Sequence, residues 1–569
     1  MKTKWGEALD PGAVLQEYPR PQLVRESYQN LNGWWDYAIT DSSVPPEDWD
    51  GKILVPFSPE AELSGVGRTL LPGQTLWYHR ALSEQPQPGM RLLLHIGAAD
   101  QECTVYLNRR HAGAHVGGYT AFTVDITDAL AEENELLLAV RDGTDTNELS
   151  RGKQKTKRGG IWYTPQSGLW QTVWAEWVPE RYISGLRITP DAAHGCVRVV
   201  VESGYDGVCY LHFAGRRIGG FTNRETVIRV ENAELWSPEH PKLYEFEAEL
   251  GSDRVKSYFA LRDVAAGRDA QGRPCLTLNG KPYYHCGVLD QGYYPDGLYT
   301  APSDEAMIYD ITLMKRMGFN MLRKHIKVEP MRWYYHCDRL GMLVWQDMMN
   351  GGGDYRLLTI SAPLFTHQNH SDHDYRRFAR TDAAGRAAYY TELEEMIRQL
   401  YNCPCIVMWV PFNEGWGQFD AAEAVRRIEV IDKTRTIDHA SGWHDQKIGK
   451  IQSLHVYFYP YRFRPDRLGR AVVLSEFGGY QLPIEGHTWN SANFGYRGCK
   501  TSAALTEAYR RLYESQILPA RQKGLAASVY TQLSDVEDEV NGFVTYDRKV
   551  EKLDAEQVRE LHARLIAGT

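Results

Sequence analysis

The chain has 569 residues, 43% hydrophobic and 24% charged, with 64 Lys plus Arg against 73 Asp plus Glu, a net charge of −9. This excess of acid argues against duplex nucleic acid as a partner, which needs a basic face. No apolar run approaches the ~20 residues of a membrane helix, so no membrane association is expected. Met1 to Glu7 lack the apolar stretch of a signal peptide, which predicts a cytoplasmic protein. Nine cysteines occur, with no C-x-x-C and one close pair, Cys403 and Cys405. That pattern argues against a disulfide framework and a thiolate zinc site. Sixteen Trp and 34 Tyr supply side chains with an apolar face and a polar edge. Such residues suit either stacking on sugars or a β-rich core.

Residues 1–180 read as β. Arg91-Leu-Leu-Leu-His-Ile, Cys103-Thr-Val-Tyr-Leu, Glu135-Leu-Leu-Leu-Ala-Val and Gln171-Thr-Val-Trp are separated by turn residues such as Asn108 and Gly117-Gly118. Short strands with turns between them predict a sandwich of jelly-roll type. Residues 181–270 alternate in period two at Cys196-Val-Arg-Val-Val-Val, Cys209-Tyr-Leu-His-Phe and Leu243-Tyr-Glu-Phe-Glu. About ninety residues of this kind predict a small immunoglobulin-like sandwich. From 271 to 569 apolar runs alternate with helical patterns. Strands are predicted near 283–289, 320–326, 342–347, 405–410, 436–440, 453–457, 471–475 and 526–531. Eight strands buried on both faces, with helices mostly between them, predict a (β/α)8 TIM barrel. The fold class is therefore multidomain β plus α/β.

Active sites of such barrels lie at the C-terminal strand ends. Those positions hold Asp290, Arg323 with Lys324 and His325, Asp347, Asn413 with Glu414, His455 with Tyr457, Glu476, and Tyr530 with Gln532. Glu414 and Glu476 each close an apolar run. By strand count they sit on strands four and seven, across the mouth from one another. A carboxylate pair so placed suits glycoside hydrolysis. Trp409 and Trp443 read as either a hydrophobic platform for the sugar or barrel core. Arg323 could bind hydroxyls, hold a carboxylate ionised, or close a salt bridge in the mouth. The segment from Gly351 to Gly385 reads as a long loop on the same face, expected to cap the pocket. Its His367, His370 and His373, spaced by three, read as loop polarity rather than a metal site, and no metal or other cofactor is expected. Asn369-His-Ser371 is a chance sequon.

These motifs resemble family 2 of the glycoside hydrolases, the group of β-galactosidases, β-glucuronidases and β-mannosidases. Asn413-Glu414 is similar to that family's Asn-Glu signature, and Ser475-Glu-Phe-Gly478 to its nucleophile segment. Gly318-Phe-Asn-Met-Leu-Arg323 and Cys337-Asp-Arg-Leu-Gly are similar to its barrel, and Leu31-Asn-Gly-Trp-Trp and Gly168-Leu-Trp-Gln-Thr-Val-Trp174 to its sugar-binding sandwich. The resemblance implies a retaining exo-glycosidase with Glu414 as acid/base, Glu476 as nucleophile and Asn413 on the 2-hydroxyl. Asp290, Arg323, His325, Asp347, Trp409, Trp443, His455 and Tyr457 then become candidate sugar contacts. β-Glucuronidases of the family grip the substrate carboxylate with an Asn-x-Lys element. The comparable Asn541-Gly-Phe543 has Phe instead, which favours a neutral sugar such as β-galactose. A furanosidase, a β-glucuronidase using Arg323 or Lys324, and a non-catalytic carbohydrate-binding protein are the alternatives. Apart from a carbohydrate, no partner is implied, and a homo-oligomer is left open.

Overall fold

Alternating strands build two β units ahead of the barrel, seen in a computed structural model that describes residues 1–366 and 368–568. The first pairs a six-stranded antiparallel sheet with a four-stranded one. Their inward residues, among them Trp35, Leu76, Tyr78, Leu94, Val105 and Leu138, form one core. The second unit packs a three-stranded sheet on a four-stranded one around Ile188, Val199, Leu211, Phe246 and Phe259. Burial alternates along these strands, as period-two geometry requires. Arg25 ties the two units together. It pairs with Glu176 of the first at 3.1 Å and with Asp253 of the second at 2.9 Å.

The barrel strands are β1 (His285–Asp290), β2 (Met321–Lys324), β3 (Leu343–Asp347), β4 (Ile406–Val410), β5 (Thr436–Ile437), β6 (Ile451–Val456), β7 (Ala471–Gly478) and β8 (Ala527–Thr531). All neighbouring pairs are parallel, in the order β5-β4-β3-β2-β1-β8-β7-β6, so the barrel is closed except for a gap between β5 and β6. Helices follow β1 (Asp304–Arg316), β2 (Met331–Leu340), β4 (Ala421–Ile431), β7 (Ser502–Leu512) and β8 (Ala555–Ala567), and Ala383–Leu400 precedes β4. No described helix separates β5 from β6 or β6 from β7. Side-chain caps start several of these helices: Ser303, Asp382, Thr501 and Asp554 each accept a backbone N–H of the first turn. None of the described helices is long and apolar enough to cross a membrane. The cysteines are free thiols, and all but Cys499 are buried.

The first sandwich reaches the barrel mouth through residues 150–167. The backbone N–H groups of Arg151 and Gly152 donate to Asn350 O at 2.9 and 3.1 Å. Arg158 pairs with Glu537 at 2.7 Å, and Tyr163 donates to Glu539 at 2.7 Å. This segment is therefore clamped between the loops that follow β3 and β8. The long segment after β3 holds two short helices, Leu357–Ile360 and Pro363–Thr366. It lies against the loops after β5 and β6, where Phe365 stacks on Phe458 and His444 lies 2.8 Å from Thr359 O.

Candidate active site

Glu414 stands four residues beyond β4, with its backbone in the left-handed region at φ 50°. Few non-glycine residues adopt that conformation, and it persists where surrounding contacts hold it. Here the Glu414 N–H donates to Ser441 O at 2.9 Å, and the Trp443 indole donates to Glu414 O at 2.8 Å. Glu476 lies within β7 at an irregularity, where the pairing with β6 and with β8 shifts register just after Leu474, the kind of local break that re-aims a side chain. His455, on β6, bridges the two. Its Nδ1 is 2.7 Å from Glu414 Oε1 and its Nε2 is 3.6 Å from Glu476 Oε1. Glu414, His455 and Glu476 offer ligand atoms that all lie within 4.8 Å of one another. The side chains of Glu414 and Glu476 are 13% and 6% exposed.

Arg323 organises the floor. It is fully buried, reaches Asp347 Oδ1 through Nε and Glu476 Oε1 through Nη1, both at 3.0 Å, and donates to Asn413 Oδ1 at 2.8 Å. Asp347 also holds His325, 2.8 Å from its Nδ1. The Tyr457 hydroxyl donates to Glu476 Oε2 at 2.5 Å, and its ring stacks on Tyr496 with centroids 3.8 Å apart. Asn413 keeps one buried amide group, Nδ2, without a partner among the described residues. An unused donor beside the carboxylates can take a substrate hydroxyl, because leaving it unpaired costs about 1–3 kcal/mol.

The two carboxyls are driven apart in acidity. Burial pushes Glu414 up, and the nearby charge of Glu476 adds to that. Burial alone would raise Glu476 too, but His455 and Arg323, helped by His325 and the Tyr457 hydrogen bond, outweigh it and hold Glu476 down at about 2. Burial also keeps His325 well below the usual histidine range. Such a pair offers a protonated acid and an ionised base at one pH.

The structure therefore brings together Glu414, Glu476, Asn413, Arg323, His325, Asp347, Trp443, His455 and Tyr457. It places Trp409, Asp290, Lys324 and Tyr530 elsewhere. Trp409 is turned away from the barrel axis, its indole donating to Asp432 at 2.8 Å while Arg435 covers its ring; it is core and not a sugar platform. Asp290 is taken up by Lys324 at 2.7 Å, and Lys324 also pairs with Glu329 at 2.7 Å and lies over Trp333. Neither of that pair is left free for a substrate. Tyr530 packs outward against Phe477, Tyr509 and Phe543. His367 lies outside the described residues, while His370 sits beside His444 and His373 pairs with Asp420 at 2.6 Å. Three residues that sequence reasoning did not assign also line the site. Tyr496 backs Tyr457, Trp416 follows Glu414 by two positions, and Lys153 comes from the clamped sandwich segment. A cavity of about 500 Å³ lies between the segment after β3 and the loops after β5 and β6, lined in part by Leu364, Tyr459 and Arg462, and of the site residues it touches Trp443 and His455.

Comparison with known proteins places this geometry in context. Residues 274–475 match the model for "Glycosyl hydrolases family 2, TIM barrel domain", and residues 183–262 match "Glycosyl hydrolases family 2". A protein of Formosa agariphila that carries a provisional β-glucuronidase name is 24% identical over 444 residues, covering 70% of this chain and 47% of that one. A β-galactosidase of Yersinia enterocolitica is 29% identical over 227 residues, covering 39% of this chain and 20% of that one. The chain thus spans about half or less of the length of these curated relatives. Among solved structures, a β-D-glucuronidase of Dictyoglomus thermophilum superposes with a TM-score of 0.74 at 17% identity, covering 96% of this chain and 99% of that one, a likeness of fold.

Proposed function

We propose, from the premise that the chain belongs to family 2 of the glycosyl hydrolases, that it is a retaining, exo-acting glycosidase. The observation that carries this reading is the Glu414–Glu476 pair, with oxygens within 4.8 Å and acidities pushed in opposite directions. Double displacement uses carboxyl groups about 5–5.5 Å apart, whereas inversion needs roughly 6.5–9.5 Å to admit a water. Glu414 donates its proton to the glycosidic oxygen as that bond breaks. Glu476 attacks the anomeric carbon to form a glycosyl-enzyme ester. Glu414, now ionised, takes a proton from water, which attacks the same carbon and releases Glu476. Two inversions leave the configuration unchanged. Proton NMR of the first-formed sugar is the test; an inverted product rules out a Glu476 nucleophile.

The pH profile follows from the same pair. Activity needs Glu476 ionised and Glu414 protonated. As pH rises through the raised Glu414 value, kcat/KM is expected to fall, and the acid limb should lie low, toward the depressed Glu476 value of about 2. Glu414→Gln, assayed with a dinitrophenyl glycoside that needs no acid, is expected to lose the alkaline limb. An unchanged limb assigns it to another group.

Asn413 supplies a further expected result. If its unpartnered Nδ2 meets the 2-hydroxyl, Asn413→Ala should lower kcat/KM by roughly 10²-fold on the full sugar, since hydrogen bonds at this position strengthen in the transition state. On the 2-deoxy sugar the loss should be under about tenfold. Equal losses on both exclude that contact.

Phe543 carries no preference for a neutral sugar. Phe543 is buried against Phe319, Tyr509 and Tyr530, behind β8, and does not line the site. The Lys324 route to a carboxylate is closed as well, because its ammonium is already paired. β-Galactoside and β-glucuronide are both carried forward as substrates, and relatives with both names support that choice. A panel of nitrophenyl β-galactoside, β-glucuronide, β-mannoside, β-galactofuranoside and α-L-arabinofuranoside separates them and the furanosidase alternative.

A further inference from the structure

Among the described residues, the buried lysines are, with one exception, closed. Lys324 meets Asp290 and Glu329, each at 2.7 Å, and lies over Trp333. Lys327 meets Gly292 O at 2.6 Å, Tyr299 O at 2.8 Å and Glu329 at 2.9 Å. Lys552 meets Asp535 at 2.6 Å, Val540 O at 2.8 Å and Leu482 O at 3.1 Å. Their donors are used, so each is structural. Lys153 differs. Its side chain is 7% exposed, yet among the described residues its only hydrogen bond is a long one, 3.4 Å to the Tyr163 hydroxyl. Glu539 forms an ion pair with it at 3.6 Å, too long for a hydrogen bond, and the Lys153 ammonium lies 5.2 Å from the Tyr163 ring centroid. The oxygens of Glu539 are already engaged by Tyr163 at 2.7 Å and Gln532 at 2.9 Å. An ammonium carries three donors, so with its charge balanced by Glu539, Lys153 still has donors without a short hydrogen bond.

Lys153 lies next to the site residues Trp416 and His325. Lys153 Nζ stands 5.8 Å from the centroid of Trp416, and the Trp416 ring lies 6.2 Å from that of His325. Its charge is felt at both Glu414 and His325. Cation and catalytic acid are thus neighbours in charge, although 260 residues of chain lie between them and the cation belongs to the β-sandwich. A compact ammonium suits a point-like anion. In an exo pocket, the group that can present one without lengthening the sugar is the carboxylate of a uronic acid.

We infer that Lys153, delivered by the first sandwich, is the specificity residue of this pocket and recognises a carboxylate on the terminal sugar. This rests on the glycosidase reading above. Wild-type enzyme is expected to prefer nitrophenyl β-glucuronide to nitrophenyl β-galactoside. Lys153→Met should lower the glucuronide-to-galactoside ratio of kcat/KM about 100-fold, ~2.7 kcal/mol. Lys153→Arg, which keeps the charge, should recover at least a tenth of the wild-type ratio. Lys157→Met, on the exposed part of the same segment, serves as the control. A ratio that does not move, equal losses on both sugars, or Lys153 dependence on a 6-sulfated galactoside in place of the glucuronide overturns the inference. Should Lys153→Met not fold, inhibition of the wild-type enzyme decides the matter. Free D-glucuronate should inhibit at least tenfold better than D-galactose, and equal inhibition overturns the proposal. Failure of the glycosidase reading looks different, since then no glycoside is turned over by any form of the protein.

Discussion

Glu476→Gln is expected to lower kcat by at least about 10⁴-fold, the scale of losing a nucleophile, while the protein stays folded. The amide keeps the shape of the carboxylate but cannot form the glycosyl-enzyme ester. The fold should tolerate the change, because Arg323 retains Asp347 at 3.0 Å and Asn413 at 2.8 Å. Glu414→Gln should behave differently. It should be slow on alkyl and sugar leaving groups but close to wild type in forming the ester from dinitrophenyl glycosides, where proton donation matters little. Hydrolysis of that ester then becomes limiting, so a burst of nitrophenolate is expected. Azide should sharpen the distinction. In Glu476→Ala it can occupy the vacated face and give a glycosyl azide of inverted configuration. In Glu414→Ala it attacks the ester and gives a retained one. Full activity in Glu476→Gln, or azide products of the opposite configurations, would show that the two roles have been assigned wrongly.

The barrel was legible because its strands are apolar on both faces and end at polar residues. Burial is continuous along β3, β4 and β7. That same continuity hid the orientation of individual side chains. A uniformly apolar run carries no period-two signal, so nothing in Ile406–Val410 distinguishes a residue facing the axis from Trp409, which faces the helices. Phe543 misled for another reason. It follows Gly542, where a Cβ would sit 2.1 Å from the Ser534 carbonyl carbon. The chain turns tightly there and carries Phe543 into the core, so position along the sequence did not translate into position in the pocket. Lys153 was invisible for a third reason. It lies among Arg151, Lys155, Lys157 and Arg158, a run with the composition of a solvated basic loop, and only packing of the sandwich on the barrel buries Arg151 and Lys153 while leaving Lys157 exposed. Contacts between distant segments are set by tertiary structure, and no local pattern encodes them.

Arg323→Met is expected to damage stability and chemistry together, by separable routes. Arg323 is fully buried and balances Asp347 and Glu476, both also buried. Removing one partner of a buried charge group leaves the others uncompensated, a loss of about 3–5 kcal/mol. Urea unfolding at neutral pH should therefore show a clear drop in midpoint. The pH dependence gives the sign. Glu476 is held at about 2, below its ordinary 4.5. A carboxyl depressed in the folded state contributes stability that is full above the unfolded value and lost as pH falls through the folded one. In the wild-type protein this contribution is therefore present at neutral pH and fades between about pH 4.5 and 2. Without Arg323 the depression shrinks, because only His455, His325 and the Tyr457 hydrogen bond remain to oppose burial. The stability gap between wild type and variant should accordingly be widest near neutral pH and narrow as the medium is acidified toward pH 2. The acid limb of kcat/KM should move to higher pH in the variant, since Glu476 must still be ionised to attack. Activity at the optimum should fall by roughly 10²–10³-fold, the scale of losing one preorganised electrostatic contact, because Asn413 also loses the donor that orients it. An acid limb that stays in place while stability falls would make Arg323 a structural residue only, and the low acidity constant of Glu476 would then have to come from His455.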